Sequence, residues 1–240
     1  MKTRLDRALV ERGLVESREK AQALIMAGEV SVDGRKASKP GQPVDEKVSL
    51  EVLALPPYVG RGGFKLAAAL RQFSIRAAGA VCLDIGSSTG GFTDALLQAG
   101  AARVHAVDVG AGQLAWPLRT DPRVVVHERI NARQLTFAEI GERVDLAVCD
   151  VSFISATLIL PAILPVLQPA GQMVILIKPQ FEVGKGQVGK GGIVRDAELH
   201  RAACQRVERA VAELGFETGI MESPILGAKG NKEFLLHAHH

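Results

Sequence analysis

From residue 81 onward the sequence alternates in a way few architectures accommodate: apolar runs of strand length, separated by segments of helix length. The runs are Val81 to Ile85, Arg103 to Val109, Arg123 to His127, Val144 to Asp150 and Met173 to Lys178. Helical patterns occupy Phe92 to Ala99, Ser155 to Leu167 and Asp196 to Leu214. Strands that alternate with helices predict an α/β fold, a doubly wound parallel sheet of Rossmann-like type. Two later runs, Phe216 to Met221 and Glu233 to His237, follow the last long helix with no helix between them. They read as an antiparallel hairpin that closes the sheet.

The segment before this pattern is built differently. Leu5, Leu9 and Val10 recur at helical spacing and Gly13 stops the helix. Ser17 can cap a second helix whose apolar face is Ala21, Leu24 and Ile25, with Glu19 placed to suit the helix dipole. Val30 and Val32 then alternate with polar residues and run into Asp33-Gly34, a pair suited to a tight hairpin turn. This predicts a small α+β unit of two helices and a hairpin. Pro40, Pro43, Pro56 and Pro57 punctuate its far end, which puts the boundary between Leu53 and Gly60 and the two domains at 1–58 and 59–240. Pro56-Pro57-Tyr58 falls in this junction and reads as linker. Between Leu53 and Ala80 every charge is positive, Arg61, Lys65, Arg71 and Arg76, so the junction reads as a basic island or a solvated linker.

Composition narrows the class. With 240 residues, 47% hydrophobic and 23% charged, the chain has enough material for a core, and disorder is excluded as the default. The net charge of +3 does not by itself argue for nucleic acid. The longest apolar runs, such as Leu158 to Leu167, contain prolines and fall short of the ~20 residues of a membrane span. Lys2, Arg4, Asp6 and Arg7 are followed by no apolar stretch of signal-peptide type, so a cytoplasmic protein is expected. The three cysteines, Cys82, Cys149 and Cys204, are far apart in apolar contexts and read as buried thiols. No metal site is expected; His237, His239 and His240 read as a fraying edge strand.

The strongest local signal is Val81-Cys82-Leu83-Asp84-Ile85-Gly86-Ser87-Ser88-Thr89-Gly90-Gly91-Phe92: an apolar strand, a glycine-rich turn and a helix start. Glycines there let backbone approach a ligand closely. A dinucleotide site would repeat G-x-G-x-x-G and face a diphosphate, which the carboxylate of Asp84 would repel. That carboxylate suits the cationic amino-acid end of S-adenosylmethionine, and Asp108, at the end of the next strand, can accept from two ribose hydroxyls. Asn131 can meet an adenine edge or belong to a surface turn. Asp150 and Lys178 end the fourth and fifth strands, where an open parallel sheet lines its ligand crevice. A desolvated lysine beside a methyl donor can serve a hydroxyl acceptor as base. Marks of other acceptors are missing. No Pro-Pro-aromatic follows the fourth strand, as amino methylation would want, and Cys149 is out of phase for a nucleophile. The stretch from Phe181 to Asp196 carries Gly184, Gly186, Gly189, Gly191 and Gly192 among Lys185, Lys190 and Arg195, a basic loop able to close on RNA phosphate.

Several stretches then resemble the TlyA-type ribosomal RNA 2′-O-methyltransferases, also labelled haemolysin A, whose catalytic domain is of FtsJ type. They are Arg4-Leu5-Asp6, Ser17-Arg18 through Val32-Asp33-Gly34, and Tyr58-Val59-Gly60-Arg61-Gly62-Gly63-Phe64-Lys65-Leu66. The glycine-rich turn and Cys149-Asp150-Val151-Ser152-Phe153 follow. Ile177-Lys178-Pro179-Gln180-Phe181-Glu182, Gly192-Ile193-Val194-Arg195-Asp196 and Gly230-Asn231-Lys232-Glu233-Phe234 complete the set. The resemblance covers essentially the whole chain. It implies an S4-type RNA-binding domain ahead of the catalytic one, S-adenosylmethionine as cofactor, and cytidine of ribosomal RNA or ribosomal subunits as target.

It also implies a catalytic tetrad at Lys65, Asp150, Lys178 and Glu233. Lys178 would act on the 2′-hydroxyl with its pKa depressed by Lys65, while the two carboxylates position the amines. The cofactor set is Asp84, Gly86, Ser87, Ser88, Thr89, Gly90, Gly91, Phe92, Asp108, Asn131 and Asp150. The RNA-facing set is Arg4, Arg18, Lys20, Arg35, Lys36, Arg61, Lys185, Lys190 and Arg195. Rival readings are a binding module that has kept the fold without catalysis, a membrane-active haemolysin, and a nicotinamide oxidoreductase. The intact tetrad, the lack of an amphipathic or apolar membrane segment, and the glycine spacing with Asp84 argue against them in turn.

Overall fold

A computed structural model describes residues 2–53, 57–227 and 229–240, with Lys185 described by its backbone alone. The chain divides into two compact units, Met1–Pro57 and Tyr58–His240.

The first unit runs β1 (Lys2–Arg4), α1 (Leu5–Glu11), α2 (Arg18–Met26), β2 (Val30–Val32), β3 (Arg35–Lys36), β4 (Pro43–Asp45) and β5 (Leu50–Val52). Ser17 caps α2 as its residue type suggests, accepting from the Lys20 N–H at 3.2 Å. Asp33 and Gly34 both take positive φ, 49° and 75°, and turn β2 antiparallel onto β3. Leu5, Leu9, Ile25 and Val30 are fully buried in its core. The pairings of β1 with β4 and of β2 with β5 were not anticipated. Three residues each in β1, β4 and β5 leave too little pattern to specify a partner strand.

The second unit continues with α3 (Gly62–Gln72), β6 (Val81–Ile85), α4 (Gly91–Gln98), β7 (Arg103–Asp108), α5 (Trp116–Arg119), β8 (Val124–Glu128), α6 (Phe137–Ile140) and β9 (Val144–Cys149). It ends with α7 (Leu160–Ile163), β10 (Leu167–Ile177), α8 (Pro179–Glu182), α9 (Ala197–Ala212), β11 (Glu217–Glu222) and β12 (Phe234–His239). The seven strands lie in the order β11-β12-β10-β9-β6-β7-β8. β6 through β10 are parallel, and β12 runs antiparallel to both β10 and β11. This is the doubly wound sheet with its closing hairpin. The chain leaves β6 toward β7 and later returns to the other side of β6 with β9, which makes the gap between β6 and β9 the switch point where such folds bind ligands.

Both faces are covered. On one, Leu83, Ile85, Val107 and Ile175 pack with α7 and α9; on the other, Cys82, Val104, Val148 and Leu176 pack with α3, α4 and α5.

Two expectations change. The single helix over Ser155 to Leu167 is broken into a 3-10 turn at Ala156–Leu158, the short α7 and a second 3-10 turn at Leu164–Val166. Pro161 and Pro165 lack the N–H groups a continuous helix needs. The basic junction contains α3, an eleven-residue helix. Its first residues, Gly62 and Gly63, are poor helix formers, and they hide it from pattern reading. Lys65 lies inside the protein, 7% exposed, and so contributes no charge to a surface island.

Candidate active site

The site grows from the turn after β6. Gly86 has φ of 80°, and a Cβ there would run into the Asp150 carbonyl oxygen. The ends of β6 and β9 therefore meet backbone to backbone, with Asp150 N donating to Ile85 O at 2.9 Å. The other turn glycines serve packing. A Cβ on Gly90, φ 97°, would strike Leu118 and Leu114, and one on Gly91 would press on the backbone of Gly62 and Gly63. Gly86 and Ser88 line the cavity beside this turn, whereas Ser87, Thr89, Gly90, Gly91 and Phe92 are not on its wall, and Phe92 belongs to the core.

That cavity has a volume of about 460 Å³, within the range of small-molecule sites. Val107, Val109, Ile130, Ile154 and Ile159 give it an apolar wall; Asp108, Asn131, Asp150 and Ser152 supply its polar points. Asp108 is fixed at both oxygens, by the Ser88 N–H at 2.8 Å and the Gly110 N–H at 2.7 Å. Asn131 uses its side-chain oxygen to cap the next turn through Arg133 N at 3.1 Å. Asp84 is fully buried and is not on the wall. One of its oxygens accepts from Thr93 Oγ1 at 2.6 Å, and the other has no hydrogen-bond partner among the described residues. Burial, opposed by the Thr93 hydroxyl and helped by the charges of Asp150 and Asp108, pushes this carboxyl up to about 7.

Four charged side chains converge on the same edge of the sheet. Ile175 pairs with Cys149 and Ile177 with Phe234, so Asp150, Lys178 and Glu233 each fall one residue beyond a paired position. α3 brings Lys65 to them. They form two pairs. Lys65 Nζ donates to Glu233 Oε2 at 2.5 Å, and a Cβ on Gly227 would collide with the same carboxylate. Lys178 Nζ lies 2.5 Å from Asp150 Oδ1, off the direction of a hydrogen bond, and donates to Ser152 Oγ at 2.8 Å. Of the four, Asp150 lines the cavity. Each ammonium has its own carboxylate partner.

Three neighbours escaped the sequence reading. Ser152 touches Lys178 and lines the cavity. Phe153 is 92% exposed with φ of 67°, its ring 5.3 Å from that of Phe181. Glu182, 3% exposed, accepts from Ser155 and Ala156. The available signal was position: a serine and an aromatic directly after a strand that ends in a charge.

The cationic residues read as RNA-facing are placed variously. Arg4 and Arg18 both bind the fully buried Asp6, at 2.9 and 3.0 Å, with Gln22 adding a hydrogen bond. The Arg4 guanidinium, Gln22 and Arg18 together hold this carboxyl below the usual range against the cost of burial. Lys20 pairs with Glu16 on the surface. Arg35 and Lys36 are exposed on β3. Arg61 donates to Leu226 O at 2.5 Å. Lys190 and Arg195 are exposed, and the side chain of Lys185 lies outside the described residues. The basic loop is anchored at its end: buried Asn231 accepts from Val194 N and donates to Gly192 O, both at 2.9 Å. Among the described residues no helix is long and apolar enough to cross a membrane.

Comparison with known proteins matches this architecture. Residues 58–240 match the model of the FtsJ-like methyltransferase family, and residues 3–49 match the S4 domain. The chain is 51% identical over 238 residues to the 16S/23S rRNA (cytidine-2′-O)-methyltransferase TlyA of Mycobacterium tuberculosis, covering 98% of this chain and 89% of that one. It is 44% identical to Hemolysin A of Brachyspira hyodysenteriae, covering 98% of each. A solved structure from Streptococcus thermophilus, provisionally described as a hemolysin, superimposes with a TM-score of 0.77 at 43% identity, over 99% of this chain and 88% of that one. With its sheet, its charged edge and these matches, the chain belongs to the FtsJ-like methyltransferase family and carries an S4 domain ahead of the catalytic unit.

Proposed function

We propose that this protein transfers a methyl group from S-adenosylmethionine to the 2′-hydroxyl of a cytidine in ribosomal RNA. The observation that carries the reading is the Lys178–Asp150 pair, whose carboxylate lies on the wall of the switch-point cavity. An ammonium and a carboxylate at a ligand wall suit a hydroxyl acceptor, which must be oriented and must lose a proton.

The residues present fit the cofactor. The apolar wall of Val107, Val109 and Ile130 suits an adenine ring, and Asp108, held at both oxygens by backbone N–H groups, keeps lone pairs for ribose hydroxyls. Asp84, buried behind the cavity wall with one oxygen unpartnered among the described residues, would favour a cationic ligand end through its charge rather than by contact. Gly86, Ser88 and Asn131 complete this set. Ser87, Thr89, Gly90, Gly91 and Phe92 would act by shaping the turn. When bound, S-adenosylmethionine supplies a methyl group already activated on a sulfonium.

The protein then has to align and deprotonate the acceptor. Lys178 Nζ holds the 2′-oxygen and stabilises the negative charge that develops on it. Asp150, the carboxylate on the cavity wall, takes the hydroxyl proton and releases it to solvent. Lys65 and Glu233 hold the adjoining edge in place. Phe153 offers an exposed ring face for a base lifted out of its stack. Arg35 and Lys36 on the S4 unit, with Lys190 and Arg195 on the basic loop, would contact phosphate; Lys185 belongs to the same loop. Arg4, Arg18, Lys20 and Arg61 have protein partners and would contribute with what donors remain. Acting on ribosomal RNA as a protein without a membrane-spanning helix among its described residues, it would work in the cytoplasm.

The test is to incubate the protein with labelled cofactor and unmodified ribosomal subunits, then identify the product nucleoside by mass spectrometry. The expected product is 2′-O-methylcytidine. A base-methylated nucleoside would overturn the acceptor.

A further inference from the structure

Glu182 is a buried carboxylate that the reaction as described does not use. It ends α8, four residues after Lys178, and both of its oxygens are taken by one short segment. Ser155 Oγ donates at 2.6 Å and the Ala156 N–H at 2.8 Å. Arg206 reaches the Glu182 backbone carbonyl at 2.9 Å, and among the described residues no ion pair reaches the carboxylate. Burial pushes this carboxyl up from its ordinary range, with the Ser155 and Ala156 donors and the nearby charge of Arg206 opposing. A buried charge without an ion-pair partner is an expensive way to join two loops.

The joined segments identify the use. Ser155 and Ala156 end the connection that begins at Asp150 and carries Ser152 and Phe153. Glu182 ends the segment that begins at Lys178. Contacts close a ring: Lys178 to Asp150, Lys178 to Ser152, Glu182 to Ser155 and Ala156, with Phe181 against Phe153 between them. Inside that ring Phe153 holds φ of 67° with its side chain 92% exposed. A bulky residue keeps such a backbone only where its surroundings impose it.

We infer that Glu182 is a positioning residue: its two hydrogen bonds hold the Asp150–Ser155 connection in the one shape that sets Ser152 and Asp150 against Lys178. The inference rests on the reading of Lys178 and Asp150 as the reacting pair. Releasing the clamp lets the Phe153 turn relax and misaligns the pair, while the cofactor keeps its contacts at Gly86, Ser88 and Asp108.

The test uses the full chain as Glu182→Ala, Glu182→Gln, Ser155→Ala and Lys178→Ala. Methylation of ribosomal subunits is measured below each variant's Tm, with cofactor Kd by calorimetry. Glu182→Ala should lower kcat by about tenfold or more, with cofactor Kd changed by less than about threefold. Glu182→Gln keeps an acceptor for Ala156 and gains a donor for Ser155, and should recover most of kcat. Ser155→Ala loses one of the two bonds and should fall between wild type and Glu182→Ala. If Glu182→Ala does not fold, Ser155→Ala decides. Wild-type kcat in Glu182→Ala or Ser155→Ala overturns the inference, as does a Glu182→Gln variant no better than Glu182→Ala. If Lys178→Ala is inactive in those cases, the clamp alone fails; if it is fully active, the reading of the pair fails and takes the clamp with it.

Discussion

Lys65–Glu233 and Lys178–Asp150 are pairs of equal length in unequal surroundings. Both close to 2.5 Å at one edge of the same sheet. The side chains of the first are 9% and 3% exposed, and a glycine at 227 is needed for the backbone to pass the carboxylate. In the second, Asp150 is 21% exposed on the cavity wall and Lys178 also serves Ser152. A pair sealed on all sides is a fixture of the fold, because its desolvation is offset only by the partner. A pair at a cavity wall can exchange a contact for a ligand. Two lysine–carboxylate pairs are thus divided by their surroundings into a sealed one and one open to a ligand.

The largest expected effect tests the cavity-side pair. Lys178→Ala should lower kcat by about a hundredfold or more and leave cofactor affinity within about threefold, measured by single-turnover methylation and calorimetry. A parallel loss of affinity would show that the two pairs do not divide the work as described. Next is the sealed pair. Lys65→Met leaves Glu233 as an uncompensated buried charge and should cost about 3–5 kcal/mol of unfolding free energy in urea. Adding Glu233→Leu should return most of that stability while kcat stays reduced. Full recovery of kcat would make the sealed pair structural only.

The smallest effect is a pH dependence. Asp84 rises from its ordinary 3.8 to about 7 in the folded state because the charged form is buried, so folding favours the neutral carboxyl. That contribution is complete below about pH 4 and is lost as pH rises through about 7. Without ligand, the melting temperature should therefore fall over this window, and Asp84→Asn should flatten the curve. Asp150→Asn removes one of the charges that raise Asp84 and should shift the fall to lower pH. Lys65→Met should not, if the two pairs are separate.

How much of this was legible depended on the length of each pattern. The seven strands of the large sheet announced themselves by apolar runs, and α9 by a sixteen-residue helix with Asp196 at its cap. α3 was hidden behind two glycines, and the Ser155 to Leu167 segment looked like one helix because apolar spacing outweighed two prolines. For the candidate site, a charge at the end of an apolar strand drew attention to Asp108 and Asp150, which line the cavity, and to Lys178, which pairs with Asp150. What no spacing could supply was pairing. Nothing local says that Lys65 meets Glu233, that Glu182 grips Ser155, or that Asp84 lies behind the cavity wall. The turn glycines show the same limit: their number suggested a ligand, while the backbone assigns Gly90 and Gly91 to contacts with Leu118 and with α3.

The Lys65–Glu233 bond spans 168 positions of sequence. Its first partner lies in the opening helix of the catalytic unit, and its second borders β12, the last strand of the sheet to be synthesised. Because β12 lies between β10 and β11 with Leu235, Leu236 and Ala238 fully buried, the sealed pair forms only when the final hairpin docks. Closure of this edge is thereby tied to completion of the sheet, and a chain lacking β12 would carry Lys65 without its counter-charge.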